Sequence, residues 1–244
     1  MIEYMNFGKL SEAYDAGRQT YPTDVMDYIF SLIGISQRLL DVGCGTGIST
    51  RQLARQVKDI SGCDVDAKMI ETAQKYTDEI RYYVASTSKM PFGNEEFDVL
   101  TAFGAFHWFC DDESVVEIKR VLRFGGAFVV INKNEAGDFR KNYEKIIEQV
   151  TGVKPPQSIK KEYSPGTILE KNGFSNIITR KFQHTEEFSV LRAIEQIQSM
   201  SLWNTVPNEK KQEVLEVLRS HFGKIAEGGM VHRYLEVVVV SGVK

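Results

Sequence analysis

The stretch Leu39-Leu40-Asp41-Val42-Gly43-Cys44-Gly45-Thr46-Gly47-Ile48 decides the fold. A short apolar run ends at an acidic residue, and three glycines alternate with small residues before helical spacing begins. Glycine lets the backbone turn tightly and approach a ligand, and a helix N-terminus offers unpaired N–H groups and about half a positive charge. The segment predicts a strand, a tight turn and a helix that together receive a nucleotide-like ligand. A tight turn without a ligand is the alternative.

Short apolar runs and helical stretches alternate on both sides of this segment. Runs of four to six residues separated by helices of about ten are typical of βαβ units and a parallel sheet. Because such crossovers are right-handed, helices should cover both faces of the sheet. The predicted strands are 38–42, 59–64, 80–84, 97–102 and 127–132, and the predicted helices between them are 48–57, 67–76 and 112–122.

The regular alternation breaks after residue 133. Two further strands, 176–182 and 234–241, and helices at 139–150, 190–200 and 207–222 follow from the pattern of apolar residues. We expect four segments: an N-terminal helical cap at 1–36, a ligand-binding core at 37–132, a helical insertion at 133–170, and C-terminal strands at 171–244 with a helical insertion at 188–225.

Composition and charge narrow the function classes. The 244 residues carry 30 Lys and Arg against 33 Asp and Glu, a net charge of −3, so charge does not favour nucleic acid as a partner. No window is apolar for the roughly 18 residues of a spanning helix, and no secretory signal is visible. The three cysteines have neither metal-ligand nor disulfide spacing. We expect a cytoplasmic protein without a metal site, membrane contact or disulfides, as a monomer or homodimer.

The spacing of the glycines indicates which ligand the turn receives. The dinucleotide fingerprint is G-x-G-x-x-G, whereas this chain has G-x-G-x-G with Ile48 at the next position. The Gly-Lys-Ser/Thr ending of a phosphate-binding loop is also missing. An NAD-dependent oxidoreductase is therefore disfavoured.

Several separated motifs resemble the class I S-adenosylmethionine (SAM) dependent methyltransferases. They are the glycine segment, the acid Asp64 at the end of the second strand, Met90-Pro91-Phe92 before Glu96-Phe97-Asp98-Val99, and Glu117 to Gly126 (EIKRVLRFGG). The N-terminal Tyr14 to Pro22 stretch is similar to the small-molecule branch that includes trans-aconitate methyltransferases. The resemblance implies a Rossmann-like, doubly wound α/β fold: a mostly parallel seven-stranded sheet with an antiparallel final strand, plus the helical cap and insertions.

The resemblance also implies roles for cofactor-binding residues. Asp64 would hold both ribose hydroxyls, and Asp41 would position the turn and the methionine amine, although it can instead orient the loop only. Ser86, where relatives carry an acid, and Thr87 would meet the adenine through neutral contacts. Arg18 would reach the carboxylate of SAM, because its planar fork can bond both oxygens. The full predicted set is Arg18, Asp41, Gly43, Cys44, Gly45, Gly47, Asp64, Val65, Ser86, Thr87 and Phe103.

The methyl acceptor should meet a second group of residues. His107, in the Ala105-Phe106-His107-Trp108 stretch, is a candidate base or acceptor-binding donor, and Tyr14 would border the methyl-transfer site. The predicted acceptor-binding residues are Tyr21, Phe106, Trp108 and Trp203. A helix-leading histidine without a catalytic duty is the alternative for His107. The predicted function is methyl transfer to a small molecule such as a carboxylic acid, giving S-adenosylhomocysteine (SAH). RNA or protein methylation and non-catalytic SAM binding are the alternatives.

Overall fold

The computed structural model describes residues 11, 15, 18–33, 38–154 and 163–244. Contacts divide the chain into two units. The larger unit comprises residues 20–133, 159–182 and 237–244, and the smaller unit comprises 1–19, 134–158 and 183–236. The larger unit contains the glycine turn, the predicted catalytic residue His107 and most of the predicted cofactor-binding residues.

Seven strands form one sheet with the order β3-β2-β1-β4-β5-β7-β6. The pairs from β3 to β5 are parallel. The last strand runs antiparallel to β5, since Gly125 pairs with Lys244 and Ala136 with Tyr234. The strands are β1 Arg38–Val42, β2 Asp59–Asp64, β3 Arg81–Val84, β4 Phe97–Phe103, β5 Leu122–Glu135, β6 Ser175–Ser189 and β7 Met230–Val243.

Eight α-helices connect the strands in the described ranges, with short 3-10 turns at Phe106–Trp108, Ser201–Thr205 and Asn208–Lys210. The helices are α1 Thr23–Ile33, α2 Ile48–Leu53, α3 Ala67–Gln74, α4 Asp112–Val121, α5 Phe139–Thr151, α6 Pro165–Lys171, α7 Val190–Gln198 and α8 Lys211–Ile225. Asp66 caps α3 through the Lys68 N–H at 3.0 Å, as its place before that helix predicts.

The two faces of the parallel strands bury different apolar clusters in the larger unit. Alternate residues of β1 divide between them: Leu39 packs with α1 and α2, whereas Leu40 and Val42 pack with α4 and α6. All three side chains are fully buried. A strand that is apolar on both faces is typical of a parallel sheet covered by helices on each side. The predicted doubly wound α/β fold is confirmed.

The strand order reverses at β1. The chain passes from β1 to β2 and β3 on one side, then returns to β4 and β5 on the other. In open α/β sheets the crevice outside the carboxyl ends at such a reversal is the usual ligand site. The glycine turn follows β1 and therefore lies at this point.

Three strands are longer than the sequence predicts. β5 begins at Leu122 rather than 127 because the backbone at Gly125 and Gly126 pairs with Lys244. β6 and β7 extend to 15 and 14 residues. The pairing of Gly125 and Gly126 with Lys244 joins residues more than a hundred positions apart, so local patterns do not reveal it.

Within the described ranges, no helix is both long and apolar enough to cross a membrane. Nor do the described His, Cys, Asp and Glu side chains gather in a group of three or more that could hold a metal ion. Cys44, Cys63 and Cys110 are free thiols, the first two buried.

Candidate active site

The three glycines of the turn all have left-handed backbone angles, with φ of 66° at Gly43, 56° at Gly45 and 78° at Gly47. A Cβ at Gly43 would lie 2.7 Å from Ala105 Cβ, and one at Gly47 would overlap the Tyr82 hydroxyl. Gly45 differs, because no described atom lies within 4 Å of its Cβ position. The turn is therefore packed at both ends and open in the middle.

Asp64 ends β2 beside this open position. One carboxylate oxygen accepts from the Gly45 N–H and the other from the Asp66 N–H, both at 2.9 Å. Burial raises the pKa of Asp64, while these two backbone bonds lower it. Each carboxylate oxygen has further lone pairs, so the group can hold the turn and still accept from a ligand diol.

Asp41 is fully buried and binds hydroxyls instead of backbone N–H groups. Ser49 and Thr50 donate to its Oδ2 at 2.9 and 2.7 Å, and Thr101 donates to its Oδ1 at 2.8 Å. Burial raises the pKa of Asp41 to about 6, against the lowering effect of these three bonds. Asp41 thereby fastens β1 to α2 and to β4, which fixes the base of the glycine turn.

The remaining predicted cofactor residues of the larger unit lie around the same edge of the sheet. Cys44 is buried, and its N–H donates to Cys63 O at 3.0 Å. Val65 is 71% exposed directly after Asp64. The Ser86 hydroxyl lies 3.0 Å from that of Ser88, within a short turn that also contains Thr87. The structure thus brings the ends of β1, β2 and β3 to one edge of the sheet.

Tyr21 and Phe103 form an aromatic pair at the carboxyl end of β4. Their rings meet edge to face at 4.8 Å. Gln52 of α2 fixes the Tyr21 backbone by accepting from its N–H at 2.8 Å and donating to its carbonyl at 2.9 Å. The Lys133 ammonium lies 4.8 Å from the centre of the Tyr21 ring and donates to Thr20 O at 3.4 Å. Sequence reasoning missed Lys133 and Gln52.

The segment after β4 places Phe106 in a different environment from His107 and Trp108. Phe106 is fully buried against Phe128 and Phe109 in the core of the larger unit. His107 is half-buried, and Trp108 is 37% exposed with its ring 4.7 Å from the imidazole. The structure therefore gives Phe106 the surroundings of a core residue and leaves His107 and Trp108 closer to the surface. A single 3-10 turn aims these neighbours in different directions.

Three predicted residues do not join this group in the larger unit. Arg18 and Trp203 belong to the smaller unit, where Trp203 is 5% exposed within an apolar cluster. Tyr14 lies outside the described residues. Their roles remain predictions.

The fold and the turn define a class of protein, a Rossmann-like α/β protein with its ligand turn at the switch point of the sheet. Residues 40–130 match the model of the family described as "Methyltransferase domain". An uncharacterized methyltransferase of Schizosaccharomyces pombe is 24% identical over 82% of this chain and 80% of its own length. An uncharacterized methyltransferase of Mycobacterium tuberculosis is 28% identical over 50% of this chain and 49% of its own. The chain thus spans about half the length of this mycobacterial relative.

The solved structures confirm the fold. A structure described as a type II methyltransferase of Anaeromyxobacter dehalogenans aligns with a TM-score of 0.71 at 17% identity, covering 93% of this chain and 97% of its own. Residues 40–130 therefore match a methyltransferase domain, which implies SAM as the cofactor, and the chain has the same fold as a solved methyltransferase structure.

Proposed function

We propose that the protein transfers a methyl group from SAM to a small acidic molecule, with the acceptor carboxylate held beside Lys133. The ammonium of Lys133 over the Tyr21 ring is the observation that carries this proposal. It lies at the β4–β5 side of the switch point, opposite Asp64 on β2. One side of the crevice thus offers a carboxylate and the other an ammonium.

The residues of the turn fit the cofactor. The open space at Gly45 lets a ligand approach the backbone, and the adjoining Asp64 carboxylate can accept from a ribose diol through strong, charge-assisted bonds. Val65, which is exposed next to Asp64, can cover an adenine face. We assign ribose recognition to Asp64 and adenine contacts to Val65, Ser86 and Thr87.

Bound SAM supplies an electrophilic methyl group on a sulfonium. The protein must align the acceptor with that methyl and keep water away, and such alignment is worth effective molarities of about 10⁵ M or more. An ionised carboxylate already carries the attacking electron pair, so it needs no general base. Lys133 would attract and orient it, while the exposed face of Trp108 and the ring of Phe103 would exclude water.

A panel of acceptors tests the proposal. Small mono- and dicarboxylic acids are incubated with the protein and SAM labelled with tritium on its methyl group, each beside its neutral amide. We expect transfer to acids and none to amides. Lys133→Met should raise KM for an accepted acid by about tenfold, because a charge-assisted contact is lost. The exposed Lys58, before β2, provides the matched control Lys58→Met, which should leave KM unchanged.

Other outcomes would favour the alternatives. Transfer to tRNA or to a protein substrate, with none to the acids, would replace the small acidic acceptor by a macromolecule. Tight SAM binding without transfer to any of these acceptors would favour a non-catalytic SAM-binding protein. The net charge of −3 provides no general attraction for RNA.

A further inference from the structure

Two buried polar groups in the larger unit, on Asn132 and Tyr163, lack a hydrogen bond within the described ranges, and one of them, on Tyr163, lies beside His107. Asn132 near the end of β5 is 3% exposed, and its Oδ1 is buried without a hydrogen bond of standard geometry to any described residue. The Tyr163 hydroxyl, which precedes α6, is buried in the same condition. A buried polar group left without a partner destabilises the fold, so two such groups at one place require an explanation.

Tyr163 lies close both to Asn132 and to the imidazole of His107. The Asn132 side chain is near enough to the Tyr163 hydroxyl to lower its pKa, although burial raises that pKa overall. The Tyr163 ring meets the His107 ring at 5.8 Å and the Phe106 ring at 6.1 Å, edge to face in both cases. Asn132 and Lys133 are consecutive in β5, so their side chains point to opposite faces of the sheet.

The hydrogen-bonding groups of Asn132, Tyr163 and His107 can form one continuous series of hydrogen bonds. A tyrosine hydroxyl can donate one bond and accept others, an amide oxygen only accepts, and a neutral imidazole has one N–H and one bare nitrogen. If the hydroxyl donates to Asn132 Oδ1, its oxygen is left to accept a hydrogen bond from a ring N–H. Outer partners of this kind commonly fix the tautomer of a functional histidine.

We infer that Tyr163 and Asn132 are positioning residues that hold His107 in its Nδ1–H tautomer and leave Nε2 to face the methyl acceptor. Small rotations of these side chains bring them into hydrogen-bonding geometry, in which the Nδ1–H donates to the Tyr163 hydroxyl and that hydroxyl donates to Asn132 Oδ1. Nε2 is then the atom that gains or loses a proton: protonated, it donates to an acceptor carboxylate, and neutral, it accepts a proton from an acceptor that must lose one. The inference rests on the proposed function only in assigning the acceptor to Nε2.

Nitrogen NMR of the SAH-loaded protein, labelled with ¹⁵N in its histidines, tests the inference without any acceptor. The His107 signals are assigned by their loss in His107→Gln. We expect a bare Nε2 and a protonated Nδ1 in the wild type at a pH where the ring is neutral. In Tyr163→Phe, which removes one oxygen atom, the population should shift toward the Nε2–H form that isolated histidine prefers.

Matched variants distinguish a specific effect of Tyr163 and Asn132 on the His107 tautomer from a general loss of packing. Tyr143 is 2% exposed in the smaller unit, so Tyr143→Phe also removes a buried hydroxyl and should leave the His107 tautomer unchanged. Asn132→Asp keeps an acceptor oxygen and should preserve the Nδ1–H form, whereas Asn132→Leu should lose it. An unchanged SAH affinity in Tyr163→Phe would show that the fold is intact.

The outcomes are decisive in both directions. An Nε2–H tautomer in the wild type, or an identical tautomer in the wild type and Tyr163→Phe, would overturn the inference. Failure of the acid panel alone would contradict the proposed acceptor and leave the tautomer result standing.

Discussion

Asp41 and Asp64 end neighbouring strands, yet their surroundings give them different roles. Asp41 is fully buried, and three hydroxyls surround its carboxylate. Asp64 is partly exposed and bonds two backbone N–H groups beside the open position at Gly45. The first acid fastens the framework of the turn, and the second remains available to a ligand. The two roles differ because solvent reaches Asp64 at the end of β2 but does not reach Asp41 in β1.

At the residue scale, burial of Asp41 predicts a pH-dependent stability. Its pKa is raised from an ordinary value of 3.8 to about 6 in the folded protein, so the folded state holds a proton that the unfolded state has released between these values. The contribution is fully present below pH 3.8 and is lost as pH rises through 6. The loss amounts to about 3 kcal/mol, at about 1.4 kcal/mol per pKa unit.

Urea unfolding of the ligand-free protein between pH 3.5 and about 7 checks this prediction. The free energy of unfolding of the wild type should fall relative to Asp41→Asn across that range. The exposed Asp78 supplies the control Asp78→Asn, whose curve should run parallel to that of the wild type. Parallel curves for Asp41→Asn as well would show that the buried carboxylate does not set this dependence.

At the element scale, the strand–turn–helix unit depends on backbone that only glycine adopts without strain. Gly45→Ala should cost about 1–2 kcal/mol of stability because of its positive φ, and its new methyl group would occupy the space reserved for the ligand. Gly47→Ala should cost more, since its Cβ would also lie 2.9 Å from Tyr82 Cζ.

A glycine far along the chain provides the control for the turn. Gly152 ends α5 with φ of 71° and open space at its Cβ position. Gly152→Ala should therefore lose the same stability as Gly45→Ala in thermal unfolding, and only Gly45→Ala should weaken SAH binding. Equal SAH affinities in the two variants would place the ligand elsewhere.

The sequence predicts some of these elements residue by residue and others only in outline. The bounds of β1 and β2 agree with the prediction, because the glycine turn follows β1 and the helix cap Asp66 follows β2. The early start of β5 depends on pairing with the chain's last residue, which no local pattern contains. The contact between Asp41 and Thr101 follows from strand register, since they are partners in β1 and β4, but the register becomes visible only once the sheet is assembled.

The same limit applies to the site. Glycine spacing and Asp64 are local signals, and they predict which end of the crevice binds the cofactor. Lys133, Asn132 and Tyr163 belong to no sequence motif. Their importance depends on where the folded chain places them. Phe106 has the aromatic character expected of a pocket wall, but the 3-10 turn directs it into the core.

At the scale of the whole molecule, the charge of −3 says little about the substrate. The charges that matter are local: a carboxylate at the end of β2 and an ammonium at the end of β5, on either side of the switch point. Because the strand order reverses at β1, both reach the same edge of one sheet. We propose that this edge binds the cofactor through the glycine turn and Asp64.

Isothermal titration calorimetry with SAH tests that claim most directly, with wild-type protein, Asp64→Asn and the exposed control Asp78→Asn. We predict saturable binding to the wild type and to Asp78→Asn, and an affinity about tenfold or more lower for Asp64→Asn, with similar unfolding temperatures for all three. Equal affinity in Asp64→Asn, or no binding to the folded wild type at millimolar SAH, would contradict the account.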